Sequence, residues 1–253
     1  MRFAVLGSGS RGNGMVVEVG ATLLLIDCGL SVLQVKRRLA GLGKTPEELS
    51  AVVVTHEHSD HVSGVAGLAR TYDLPVWATP GTAAAAGLGE LARCRVFDCH
   101  APFAVGDMEV TPFPVPHDAR EPSQFVFGDG RWRLGLLTDV GSLTPHIEEC
   151  LDGCDALVLE CNHDTAMLAA GQYPPSLKQR VGGRHGHLSN DQAAELLGRL
   201  DGARLQHLVA AHLSDKNNTP ALAREALAGA MGCAPEWIAV ADQEQGLAWR
   251  EMV

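Results

Sequence analysis

The sequence predicts one α/β domain spanning residues 1–253, and three observations carry that reading. Apolar residues make up 46% of the chain, enough for a full-sized core and too many for a disordered protein. Short runs of β-branched and aliphatic residues alternate with segments of helical periodicity. No linker, low-complexity tract or compositional break separates them, so the elements belong to a single unit.

Taken in order, RFAVLG is a short strand-like run, and MVVEVGATLLLID (15–27) reads as a hairpin turning at Gly20-Ala21. VLQVKRRLAGLG (32–43) has helical spacing, with Ser31 as its cap and glycines at its end. AVVVTH is a buried strand, HVSGVAGLARTY a helix and LPVWATP a further strand. A helix is expected around 81–92, followed by strands at RVFDC, MEVTPFPV, SQFVFG, RWRLGLLTD and ALVLEC. Helices at 191–200 and 220–231 and strands at HLVAAHL and WIAVADQ complete the chain. This hairpin-rich middle departs from the strict alternation of a dinucleotide-binding fold.

That matters because the chain opens on Gly7-x-Gly9-x-x-Gly12, with Asp27 about twenty residues past the first glycine, which is the pattern of a dinucleotide fingerprint. The fingerprint works only where its glycines open a helix facing a pyrophosphate. Here the following residues, NGMVVEVG, are β-branched and soon halted by Gly20. The glycines are expected to form a tight loop between two strands instead, near a ligand.

No apolar run reaches the length needed to cross a bilayer, and MRFAVLGSGS lacks a secretory signal, so a cytoplasmic location is expected. The seven cysteines are odd in number and irregularly spaced, which fits a reducing compartment. Cys94-x4-Cys99 and Cys150-x3-Cys154 lack partner pairs and read as small apolar fillers. A net charge of −10 excludes a surface that grips nucleic acid over its whole extent. Any such contact needs a local basic patch.

The chemistry concentrates in VVVTHEHSDHVSG (52–64). His56, His58, Asp60 and His61 crowd three imidazoles and a carboxylate into six residues at the end of an apolar strand. On extended backbone His56 and His58 point the same way, and at the turn into the next helix Asp60 and His61 can swing toward a second point. Such crowding is costly unless a divalent metal orders it; a solvated polar loop does not explain these types where strand meets helix. Further ligands are expected at strand ends, where α/β sites form: Asp27 in LLLIDCG, His117 in PVPHDA, Asp139 in LGLLTDVG and His212 in LVAAHLSDKNN.

With these residues in view, the chain resembles the metallo-β-lactamase superfamily, on the His-x-His-x-Asp-His motif and over nearly its whole length. The resemblance implies a four-layer αβ/βα sandwich, two facing mixed β-sheets with helices outside. It implies a first metal on His56, His58 and His117, a second on Asp60, His61 and His212, and Asp139 bridging them. Asp27 would orient ligands from behind. Six segments, GSGSRGN, THEHSDH, ECNHD, YPPSLKQRV, GRHGHLSND and AAHLSDKNN, further resemble the WalJ/YycJ-like branch of bacterial metal-dependent DNA exonucleases. The GHLS and HLS segments are similar to those of the ribonuclease Z and phosphodiesterase branches, where the residue matching His187 contacts the scissile phosphate.

The resemblance therefore implies a di-metal hydrolase acting on nucleic acid or a small phosphodiester; in such an enzyme Asp60 is the candidate for steering a proton and His187 the candidate for stabilising the phosphate or protonating the leaving oxygen. Imidazoles suit zinc; a bridging carboxylate and phosphodiester chemistry are equally at ease with manganese or iron. Two extra imidazoles, His163 and His185, read as ligands, as hydrogen-bonding partners, or as ordinary buried and exposed histidines. The basic patch is expected in residues 165–190, which hold Lys178, Arg180, Arg184, His185 and His187 but no Asp or Glu. The competing readings are a hydrolase of thioesters, lactones or lactams on the same scaffold, and a non-catalytic binding module.

Overall fold

In the computed structural model, which describes residues 1–253, the strands gather into two seven-stranded mixed sheets. The first begins with β1 (Arg2–Gly7), β2 (Gly14–Val19) and β3 (Thr22–Ile26), an antiparallel meander. Helix α1 (Val32–Gly41) leads to β4 (Ala51–Val53), parallel to β3; α2 (Ser59–Val62) and α3 (Val65–Tyr72) lead to β5 (Val76–Ala78), and α4 (Pro80–Ala85) to β6 (Cys94–Val96).

The second sheet starts antiparallel with β7 (Phe103–Val105), β8 (Met108–Pro114), β9 (Ser123–Gly128) and β10 (Arg133–Leu137). It turns parallel through α5 (Pro145–Leu151), β11 (Ala156–Glu160), α6 (Thr165–Ala170), α7 (Pro175–Val181), α8 (Asn190–Leu197), β12 (His207–Ala211), α9 (Pro220–Met231) and β13 (Ala239–Val240). The chain then crosses back, and β14 (Leu247–Glu251) pairs with β1 at the edge of the first sheet.

Alternate strand residues sort into separate apolar layers. Phe3, Val17, Leu24 and Val53 of the first sheet meet Val110, Phe125, Phe127, Leu136 and Val158 of the second. Ala4, Val16, Leu25 and Val52 point outward and pack against Val35, Leu39, Val65 and Leu68 of α1 and α3. Val126, Leu157, Leu159 and Leu208 pack outward against α5, α8 and α9 through Ile147, Leu151, Ala193, Leu196 and Leu227. Strands buried on both faces read as continuous apolar runs such as LLLI and ALVL, which is why they were legible. The result is the helix–sheet–sheet–helix sandwich the resemblance implied. No helix is long and apolar enough to cross a membrane, and all seven cysteines are free.

Several element boundaries differ from the sequence expectations. The helix expected at HVSGVAGLARTY divides at Gly64, whose missing side chain lets the backbone abut the Leu30 carbonyl. The helix expected at 81–92 stops at Ala85, because Gly87 turns into the left-handed region (φ 64°) before a short 3-10 turn. WIAVADQ contributes only the two residues of β13. Helices α5, α6 and α7 and strands β7 and β14 were not anticipated. They are short, and the partly exposed LAWRE of β14 shows no clear alternation.

Candidate metal centre

The glycine-rich stretch is a loop, as its β-branched successors required. It joins β1 to β2 and lies under Asp60: Asn13 donates its backbone N–H to the Asp60 carbonyl at 2.7 Å. Gly12 has φ 135° and a Cβ there would meet the Gly29 carbonyl at 2.7 Å, so the turn admits only glycine. Dinucleotide binding of the fingerprint kind is excluded because no helix follows.

The carboxyl ends of β3, β4, β10, β11 and β12 converge at one edge of the sandwich and deliver Asp27, His56, Asp139, Glu160 and His212. Asp27 (φ 57°), Asp139 (φ 55°) and His212 (φ 55°) all sit in the left-handed region. A non-glycine residue there costs about 1–2 kcal/mol, so the surroundings must hold it. For His212 they do so through its backbone: its N–H donates to Ser8 Oγ at 2.7 Å and its carbonyl accepts from the Asn162 amide at 3.1 Å.

Most of the expected ligands come together. His56, His58 and His117 offer donor atoms within 4.8 Å of one another, and Asp60, His61 and His212 form a second such set. Asp139 joins both neighbourhoods, with His56 and His61 on one side and His212 on the other. Its Oδ2 lies 3.1 Å from His61 Nε2, and its Oδ1 lies 3.4 Å from His212 Nδ1.

The residues behind these groups fix which nitrogen faces inward. The Thr55 hydroxyl donates to Asp27 Oδ2 at 2.8 Å, leaving its oxygen to accept from His56 Nδ1 at 3.0 Å. Asp27 Oδ2 also accepts from His61 Nδ1 at 2.8 Å, the orienting position implied for it. His117 Nδ1 donates to the Gly186 carbonyl at 3.0 Å, and His212 Nδ1 to Glu160 at 2.9 Å. In each ring Nε2 is left pointing into the cluster. His56 Nε2, His212 Nε2 and Asp139 Oδ2 are buried without any hydrogen-bond partner. Buried polar atoms are rarely left so; three of them converging, on imidazole and carboxylate donors, fit divalent cations.

Electrostatics agrees. Burial and the neighbouring His61 hold His56 well below the usual histidine range, so its lone pair is available. Burial opposes charging of His61, but Asp139 and Asp27 raise it well above that range. His212 is likewise disfavoured by burial, yet Asp139, Asp60 and Glu160 lift it to about 10. Against the same desolvation, His212 and His61 hold Asp139 well below the usual carboxylate range.

Sequence reasoning missed two residues that contact the cluster, and the first is Glu160. It is fully buried, and Oε1 accepts from both His187 and His212 Nδ1 while Oε2 accepts from the Val140 and Leu188 amides. Burial opposes its ionisation, but His187 and His212 hold it down to about 2. The signal was present: Glu160 ends an apolar strand, as Asp27, Asp139 and His212 nearly do. Asn13 was missed too. Its side-chain amide reaches Asp60 Oδ2 at 3.2 Å and His61 Nε2 at 3.0 Å.

A pocket of about 340 Å³ opens over the cluster, lined by His58, Asp60, Asp139, His187 and His212. His187 is 22% exposed, its Nδ1 on Glu160. Burial opposes its protonation, but Glu160 and Asp139 keep its pKa above the usual value. Of the basic stretch, Arg180 lines the pocket but is paired with Asp118 at 2.6 Å. Lys178 donates to the Ala169 carbonyl. Arg184 and His185 are exposed and reach the site only through their backbone carbonyls, which accept from Ser142 and Asp118. His163 is buried outside every ligand set, its backbone bridged to Ser189 and Asn190.

Residues 22–212 match the family described as "Beta-lactamase superfamily domain". Exodeoxyribonuclease YycJ of Bacillus anthracis is 37% identical over 228 residues, covering 88% of this chain and 86% of its own. Exodeoxyribonuclease WalJ of Streptococcus pneumoniae serotype 2 is 35% identical, covering 88% and 85%. Among solved structures, the metallo-β-lactamase fold protein YhfI from Bacillus subtilis superposes with a TM-score of 0.78 at 19% identity, covering 99% of each chain.

Proposed function

Because the chain belongs to the metallo-β-lactamase superfamily, we propose that it is a metal-dependent phosphodiesterase that degrades DNA from an end. The observation that carries this reading is His187: its ring stands in the pocket beside both ligand sets, with Nδ1 tied to Glu160. A hydrolase of neutral carbonyl substrates has less need of an imidazole whose pKa is held up by a buried carboxylate. A phosphodiester needs one, both to meet the phosphoryl charge and to protonate the departing oxygen. The two relatives named as exodeoxyribonucleases cover the same span.

In this reading His56, His58 and His117 would hold one divalent cation and Asp60, His61 and His212 another, with the Asp139 carboxylate available to both. Such cations would supply Lewis acidity and make water a nucleophile near neutral pH. The chain's own residues do the rest. Asp60, steadied by the Asn13 amide, accepts the proton of the attacking water. His187 hydrogen-bonds the phosphoryl group and gives its proton to the leaving oxygen, and Glu160 stabilises the ring while it is charged. Residues 1–253 act as one catalytic domain, a reading supported by the pairing of β14 with β1.

The test is digestion of end-labelled oligonucleotides with zinc, manganese, iron(II) and magnesium in parallel, with His58→Ala as control. A metal-dependent ladder absent from the variant is expected. Turnover of a thioester, lactone or lactam with none of nucleic acid would overturn the proposal.

A further inference from the structure

Helix α7 buries none of its side chains. A surface helix ordinarily turns its apolar stripe to a core, yet Leu177 and Val181, one turn apart, both line the active-site pocket, as does Tyr173, two residues before the helix begins. These residues and Leu213 are the apolar part of a lining that is otherwise polar. The pocket is therefore divided in chemistry, with imidazoles and carboxylates at the cluster and an aromatic ring with two aliphatic side chains from α7. Lys216 lies 5.6 Å from the centre of the Tyr173 ring and makes no ion pair, so it steadies the ring and adds positive potential beside it.

We infer that Tyr173, with Leu177 and Val181, is a platform for the base of the terminal nucleotide whose phosphate lies at the cluster. The inference rests on the nuclease reading and names the subsite that reading lacks. A flat group over an aromatic ring is what stacking recognises, whatever the base, because every base has a π-face. About 340 Å³ lies within the roughly 300–1,000 Å³ of small-molecule sites, room for one nucleoside unit beside the cluster.

The experiment measures kcat/KM of the metal-loaded protein on a single-stranded oligodeoxynucleotide with natural ends and on the same strand with an abasic residue at one end or the other. The wild type is expected to lose about tenfold on the strand whose attacked end is abasic. Tyr173→Ala should lose about tenfold on the natural strand, mainly through KM, and nothing further on the abasic one, while Tyr173→Phe keeps wild-type values. Leu177→Ala should repeat the pattern more weakly, and bound metal should be unchanged in all variants. An equal loss on both strands, or none on either, overturns the platform and leaves the nuclease reading standing. A wild type inert on every oligonucleotide overturns that reading and the platform with it.

Discussion

One oxygen of Glu160, Oε1, lies 2.9 Å from His212 Nδ1, and His187 Nδ1 approaches the same atom at the same distance. A single carboxylate at the end of β11 thus orients a proposed metal ligand and the proposed general acid together. Glu160→Gln is nearly isosteric, but it presents an amide N–H2 to ring or backbone donors that now meet oxygen. The variant should lose about 10–100-fold in metal affinity by chelator competition. It should also lose about 3 kcal/mol of stability in denaturant unfolding, since a buried charged acceptor is removed.

His187→Ala separates the two roles. It removes the proposed acid and leaves the Glu160–His212 bond in place, so metal content should match the wild type. Turnover of a phosphodiester should fall about 10²–10⁴-fold, the range for a general acid or base. Normal turnover with normal metal would remove His187 from the mechanism.

Thr55 links Asp27 to His56 through one hydroxyl, and its backbone N–H holds the other Asp27 oxygen. Thr55→Val keeps the shape and removes the relay, leaving His56 Nδ1 without an acceptor in a fully buried place. About 1–3 kcal/mol of stability should go, with weaker metal binding, both read from melting curves with and without cation.

At Asp139 the backbone and the charge can be tested apart. Asn tolerates left-handed backbone and Ala does not, so Asp139→Ala should be about 1 kcal/mol less stable than Asp139→Asn. Both should lose metal, because neither supplies a carboxylate between the two sets.

The proton inventory gives a prediction of definite sign. His212, raised to about 10 in the metal-free fold, carries a proton at pH 7 that a cation must displace. Calorimetric titration with zinc or manganese in buffers of different ionisation enthalpy should therefore show proton release, and affinity should rise with pH. For the metal-free protein the group's folded pKa lies above its unfolded value of about 6.5. Its contribution to stability is full below that value and is lost as pH rises toward 10, so the metal-stripped melting temperature should fall across that interval.

What the sequence determined by itself was the crowding of imidazoles and a carboxylate at one strand end and the α/β class of the fold. His56, His58, Asp60 and His61 lie within six residues, so their crowding needs no tertiary information, and strands buried on both faces announce themselves as unbroken apolar runs. That Asp139 would lie among His56, His61 and His212 came only from family likeness until the fold set β10, β11 and β12 parallel and brought their carboxyl ends to one edge. Only the tertiary structure decided that Glu160 serves two histidines, that Asp118 occupies Arg180, and that Tyr173 turns toward the pocket. Each of these depends on partners brought together by sheet register and loop path across tens of residues. Hydrogen bonds and ion pairs form over about 3 Å, a precision that residue spacing along a chain does not carry.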